Sequence, residues 1–275
     1  MFRSLVLAVL FASGQPSPDS DHRRPAVPLE IDARGGIVVT VMIGGSGPYR
    51  FLLDTGTSRS IVSDTLAREL AAPVVAKTEM ASSTGSEWRL VVRLASLSIG
   101  TSVVRDVLAP VLPDSHLDDV DLAVRGVLGQ DFLSAFNYTL DYRLRRLTWD
   151  APLGCEGPGV VPMAALAGRF VMTLEAAGPL RLVPDSGADA LVLFSTPAMT
   201  VSGVRHGDAR VTDLLGARPA RMTTVPRLRL GGVTVRDVDA FVIDRAEPGV
   251  DGLMPLHRFA SVSFAAGGGC LVARQ

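Results

Sequence analysis

The chain has 275 residues, 47% of them hydrophobic and 20% charged, with a formal net charge of −1. That length and apolar content suit a folded protein of one large or two modest domains and exclude a disordered one. The near-neutral balance, the absence of a long basic run and the two Trp and three Tyr give no support to nucleic-acid binding or to attraction by an anionic membrane.

The N-terminus has the outline of a secretory signal peptide over residues 1–14: Arg3, an apolar run from Leu5 to Ala12, and a small-residue exit at Ser13 and Gly14. The run is too short to span a bilayer, and no later segment reaches about eighteen uninterrupted apolar residues, so an exported protein without a membrane span is expected. Residues 15–30, with Pro16, Pro18, Pro25 and Pro28 among polar neighbours, read as a flexible linker.

From Ile31 the pattern turns to strand. The β-branched run Ile37 to Ile43, the Gly44 to Pro48 turn and the apolar return through Phe51 and Leu53 predict a hairpin that ends at Asp54. Ser63 to Leu70 reads as a short helix capped by Ser63 or Asp64. Glu79 to Leu94 reads as a second hairpin with its tip at Ser82 to Gly85, placed to fold over a bound substrate. Further strands are expected from Leu94 to Ile99, from Val103 to Leu112 and from Tyr138 to Trp149, and an acidic surface loop from Pro113 to Asp121.

The second half repeats the first. Asp54-Thr55-Gly56 returns as Asp185-Ser186-Gly187, 131 residues later. Arg50 returns as Arg181, Gly85 as Gly216, and Val104-Arg105-Asp106 as Val235-Arg236-Asp237, all at the same offset. The segment Gly126-Val127-Leu128-Gly129 returns as Gly252-Leu253-Met254-Pro255, five residues early. A register held over some seventy residues signals a duplicated unit. Residues 31–152 and 153–275 are expected to form two lobes, and Gly154 to Pro162 the join between them.

Two carboxylates delivered by two similar units point to peptide-bond hydrolysis. Sharing one proton, such a pair can activate water on one side of an amide and protonate its carbonyl oxygen on the other. Gly56 and Gly187 permit tight turns that bring backbone N–H groups to the carboxylates. Thr55 and Ser186 can bond across the two loops, and Thr57 or Ser58 can donate to Asp54. Cys155 and Cys270 are the only cysteines, one at each end of the second copy, and in an exported protein can close that half as a disulfide. The four histidines read as solvated surface and the cysteines show no zinc spacing, so neither a metal nor a cofactor is expected.

Leu52 to Ser58 and Val183 to Asp189 resemble the active-site loops of retropepsin-like and pepsin-like aspartic proteases, and Gly126 to Leu133 is similar to the segment that packs behind such a loop. The resemblance covers the chain from about Gly35 onward. It implies a mostly β fold of two barrel-like lobes with a cleft between them. It also implies Asp54 and Asp185 as catalytic pair, Thr55 and Ser186 as clamp, and Gly85 and Gly216 as flap tips. A monomeric endopeptidase acting on peptide or protein substrates follows, or a peptide-binding module of the same fold that has lost catalysis. Two departures stand out: Pro184 removes an N–H directly before Asp185, and Pro255 replaces the glycine matching Gly129, so the packing behind the second loop is expected to differ.

Overall fold

A computed structural model describes residues 25–117, 123–149, 154–157, 159–195 and 209–274. The expected signal peptide lies outside these residues.

Strands dominate, and those of the first lobe close on themselves. Ile37–Ile43 pairs with Ser46–Leu53, which runs parallel to Gly126–Leu128; this in turn meets Ile61–Ser63. Ile61–Ser63 lies parallel to Ser102–Leu112, which pairs with Ser86–Ile99, and that long strand returns to Ile37–Ile43 through Met42 and Ser98. Ile37, Val38 and Val39 are all buried, so the β-branched run is covered on both faces. Ser63 caps the short helix Asp64–Glu69 by accepting from the Leu66 amide at 3.1 Å.

The second lobe repeats this circuit. Its ring runs through Arg169–Glu175, Pro179–Asp185, Gly252–Pro255, Leu191–Ser195, Val233–Asp244 and Arg221–Leu230, back to Arg169–Glu175. The parallel register is the same in both: Leu52 faces Val127, and Val183 faces Leu253. The five-residue slip in sequence is thus absorbed before this strand. A Cβ on Gly126 would lie 2.3 Å from the Ile61 carbonyl oxygen, and one on Gly252 2.0 Å from that of Val192, so both copies need glycine where three strands converge. The small apolar clusters outside the rings also correspond, with Leu52, Ile61 and Leu112 in one and Val183, Val192 and Ile243 in the other.

A shared sheet joins the lobes. Tyr138–Asp141 from the first pairs antiparallel with Ser261–Phe264 from the second, flanked by Arg146–Trp149 and by Cys270–Arg274 with Val160–Leu166. At its centre the rings of Tyr138 and Phe264 stack at 4.7 Å, and the hydroxyls of Thr139 and Ser263 lie 2.6 Å apart. One apolar core runs through both lobes and this sheet. Cys155 and Cys270 form a disulfide with Cα atoms 5.6 Å apart, tying the join to the buried strand that begins at Cys270.

The expected linker over 15–30 ends earlier than its prolines suggest. Val27–Pro28 pairs with Arg146 and Leu147, Glu30–Ile31 pairs with Ile37 and Val38, and Leu29 between them is buried. These are edge strands, where proline costs no central ladder bond. Two histidines also depart from the expected solvated surface. His116 is half-buried with Nδ1 2.6 Å from the Leu214 carbonyl, and His257 is half-buried against Gly35.

Candidate active site

Each of the two loops leaves its strand at an aspartate, and the two loops meet. Thr55 is fully buried and Ser186 nearly so. The Thr55 amide donates to Ser186 Oγ at 3.0 Å, and the Ser186 amide donates to Thr55 Oγ1 at the same distance. Each hydroxyl then donates onward, Thr55 Oγ1 to the Pro184 carbonyl and Ser186 Oγ to the Leu53 carbonyl, both at 2.8 Å. Every polar atom of the two side chains is used in holding one loop against the other.

The carboxylates lie in this junction. Gly56 donates its amide to Asp54 Oδ1 at 2.7 Å; Gly187 and Ala188 donate to Asp185 Oδ1 at 2.8 and 3.0 Å. Each glycine also faces the other lobe's acid. A Cβ on Gly56 would stand 2.5 Å from Asp185 Cγ, and one on Gly187 3.0 Å from Asp54 Cγ. The close approach of the two loops therefore needs both glycines. Asp185 is only 8% exposed, and Asp54 is partly buried.

Burial pushes both acids above the usual carboxylate range. Asp185 is raised further, because the charge of Asp54 adds to desolvation and the Gly187 and Ala188 amides offset only part of it. The rise at Asp54 is opposed by the Gly56 amide, by its bond with Asp185, by the Thr57 amide and by the charge of Arg169. Thr57 thus acts through its backbone, and Ser58 packs against Gly168 rather than reaching Asp54.

Supports that the motif does not reveal stand behind the first loop. Asp131 Oδ1 accepts from both the amide and the hydroxyl of Ser60, at 2.9 and 2.6 Å, and Ser60 Oγ accepts from the Gly129 amide. Gln130 Nε2 donates to the Thr55 carbonyl at 2.8 Å. Asp131 and Gln130 belong to the Gly126 to Leu133 segment, so that segment carried the signal. The second loop lacks these props. There the Leu256 amide donates to the Asp185 carbonyl at 3.2 Å, and Pro255 pairs in register with Asp185. Pro184 is accommodated because the antiparallel ladder beside it ends at Met172 and Leu182, two residues earlier.

Gly85 and Gly216 both sit at hairpin turns. Gly85 closes the turn between Val74–Ala81 and Ser86–Ile99, and Gly216 opens the second strand of the hairpin Arg210–Asp213 and Gly216–Pro219. The tips touch: Asp213 accepts from Ser82, Ser83 and Thr84. No motif singles out Asp213 for this contact.

Residues 39–135 match the family model of the gag-polyprotein aspartyl protease, and residues 172–256 match the family model of the aspartyl protease. The chain belongs to the retropepsin-like aspartyl protease family and carries two such domains in succession. No curated protein matches the chain. Membership supports a protease function in general and implies peptide substrates. No helix among the described residues is long and apolar enough to cross a membrane.

Proposed function

We propose that the chain is an aspartic endopeptidase in which Asp54 and Asp185 share one proton and activate a water molecule for attack on a peptide bond. The observation that carries this reading is the crossed pair of loops. Two acids are held by their own loop amides, pressed against the opposite glycines and locked by the Thr55–Ser186 exchange. Two buried carboxyls this close do not both ionise at ordinary pH, so the pair holds one proton, which belongs to both acids.

In the proposed reaction the ionised carboxylate takes a proton from water as its oxygen attacks the carbonyl carbon. The protonated carboxyl gives its proton to the carbonyl oxygen, forming a tetrahedral diol. The acid that took the water proton then passes it to the amide nitrogen, while the other carboxylate takes a proton from a diol hydroxyl. The C–N bond breaks to leave an amine and a carboxylic acid, and the pair again holds one proton. Both acids come from one chain, which supports action as a monomer. The short apolar N-terminal run and the Cys155–Cys270 bond support export to an oxidising compartment. No specific observation favours the non-catalytic binding module, since both loops keep their acids, amides and clamp.

A pH–rate profile with a mixed peptide library tests this directly. Cleavage is expected at acid to neutral pH, unaffected by a chelator; a rate still rising above about pH 9 contradicts a shared proton.

A further inference from the structure

The tips of the two hairpins meet at positions that correspond in the duplication. Ser82 and Asp213 are 131 residues apart, the same offset as Thr55 and Ser186. The pseudo-twofold relation between the lobes therefore passes through both the loop junction and the hairpin tips. At such an axis two identical side chains meet each other. Two aspartates would repel, and two serines could share a single bond. Here the two copies have diverged into a donor set and an acceptor.

The donor set is the first tip. Ser82 Oγ donates to Asp213 Oδ1 at 3.0 Å, Ser83 Oγ to Oδ2 at 2.6 Å and the Thr84 amide to Oδ2 at 2.9 Å, with Thr84 Oγ1 also bonded to Oδ1. The carbonyls of the same tip are taken as well. Arg218 donates to the Thr84 carbonyl at 3.1 Å, and Arg245 donates to that of Ser82. Arg245 is fixed in turn by Glu247 at 2.9 Å and by stacking over Phe194 at 5.4 Å. Glu247 also pairs with Arg169, so an ion-pair chain runs from the clasp to a cation whose charge is felt at Asp54.

The two hairpins are held by different forces. The second tip places Leu214 and Leu215 against the first lobe's cluster that includes Leu52, Ile61 and Val127. Neither hairpin buries a residue fully between 73 and 90 or between 209 and 219. The second nevertheless sets Val211, Leu214 and Leu215 against apolar clusters, whereas the first tip carries only Ser82, Ser83, Thr84 and Gly85. Apart from Met80, which leans on the apolar cluster, that hairpin stays down through its tip bonds. Hydrogen bonds of this kind are exchanged for water bonds at small net cost, whereas leucines lifted from an apolar cluster have no such replacement.

We propose that the first hairpin is the moving flap and that Asp213, with Arg218 and Arg245, is the positioning residue that sets its closed position over the acid pair. The second hairpin is the fixed seat. The effect on turnover rests on the paired-carboxylate reading; the clasp itself does not.

Amide exchange of the whole chain, followed by mass spectrometry, tests the clasp without a substrate. In Asp213→Ala, exchange across Ser82 to Glu87 is expected to rise at least tenfold, with Ile37–Ile43 and Tyr138–Asp141 unchanged. Asp213→Asn, which keeps one acceptor oxygen, should fall between, and Ser83→Ala gives the same direction without touching the second lobe. Unchanged exchange at the first tip in all three variants overturns the proposal, as does equal loosening of the core strands. With a peptide that the parent cleaves, Asp213→Ala should raise KM several-fold more than it changes kcat; a loss confined to kcat overturns the positioning role. Should the parent cleave nothing while exchange at the tip responds as stated, the clasp stands and the protease reading falls.

Discussion

Thr55 and Ser186 exchange hydrogen bonds across the lobe boundary, each amide donating at 3.0 Å to the other's hydroxyl oxygen. Because both residues are buried, removing either hydroxyl strands an amide and a carbonyl in the interior. Thr55→Ala or Ser186→Ala should each cost about 1–3 kcal/mol in urea unfolding. Both should also lower kcat by loosening the loops. Thr55→Ser keeps the hydroxyl and should stay close to the parent in both measurements.

The raised acids make stability depend on pH with a definite sign. Unfolding returns Asp54 and Asp185 to an ordinary value near 3.8, below where burial places them in the fold. Their contribution is therefore fully present below that ordinary value and is lost as pH rises through the folded values. Asp185→Asn removes a carboxyl that must take up a proton on folding above about pH 4. It should melt higher than the parent at pH 7, with the difference shrinking toward pH 4. A variant that melts lower than the parent at pH 7 contradicts the buried-pair geometry. Asp251, which the Arg181 guanidinium holds below the usual range, works in the opposite direction but equally in both proteins.

The glycines that face the opposite acids are expected to differ in tolerance. An alanine Cβ at 56 would come within 2.5 Å of Asp185 Cγ, and one at 187 within 3.0 Å of Asp54 Cγ. Gly56→Ala must displace a carboxylate and should reduce kcat/KM by about 100-fold or more, in line with the effect of an ångström-scale misplacement. Gly187→Ala should be milder. Equal and small losses at both positions would contradict the closeness of the two loops.

The Cys155–Cys270 bond closes a loop of 115 residues around the second lobe. Cys155→Ser with Cys270→Ser should lower stability by about 2–5 kcal/mol, read from chemical unfolding under non-reducing conditions.

The acid pair was legible because a constant offset ties Asp185 to Asp54, and strand patterning located the hairpins that deliver them. Ser63 was legible as a cap because its chemistry is local. What was hidden depends on contacts between distant segments. Asp213 in a hairpin turn reads as ordinary turn chemistry, since an aspartate commonly bonds its own backbone there, and indeed it accepts from the Leu215 amide at 2.9 Å. Only the meeting of the two lobes turns the same carboxylate toward Ser82. Val27 and Leu29 were hidden by the neighbouring prolines, since edge-strand pairing leaves little trace in a polar, proline-rich stretch. Asp131 stood in a noted segment, but its bond to Ser60 spans 71 residues and follows from the ring closing.

The most direct measurement is cleavage of a mixed peptide library by parent, Asp54→Asn and Asp185→Asn, all confirmed to be folded and all assayed from acid to neutral pH. Cleavage by the parent that falls at least about 1,000-fold in both variants is expected, because neither acid alone can both accept and donate the proton. Cleavage that survives in either variant would contradict the shared-proton pair, and an equally inert parent with an intact fold would point instead to a peptide-binding module.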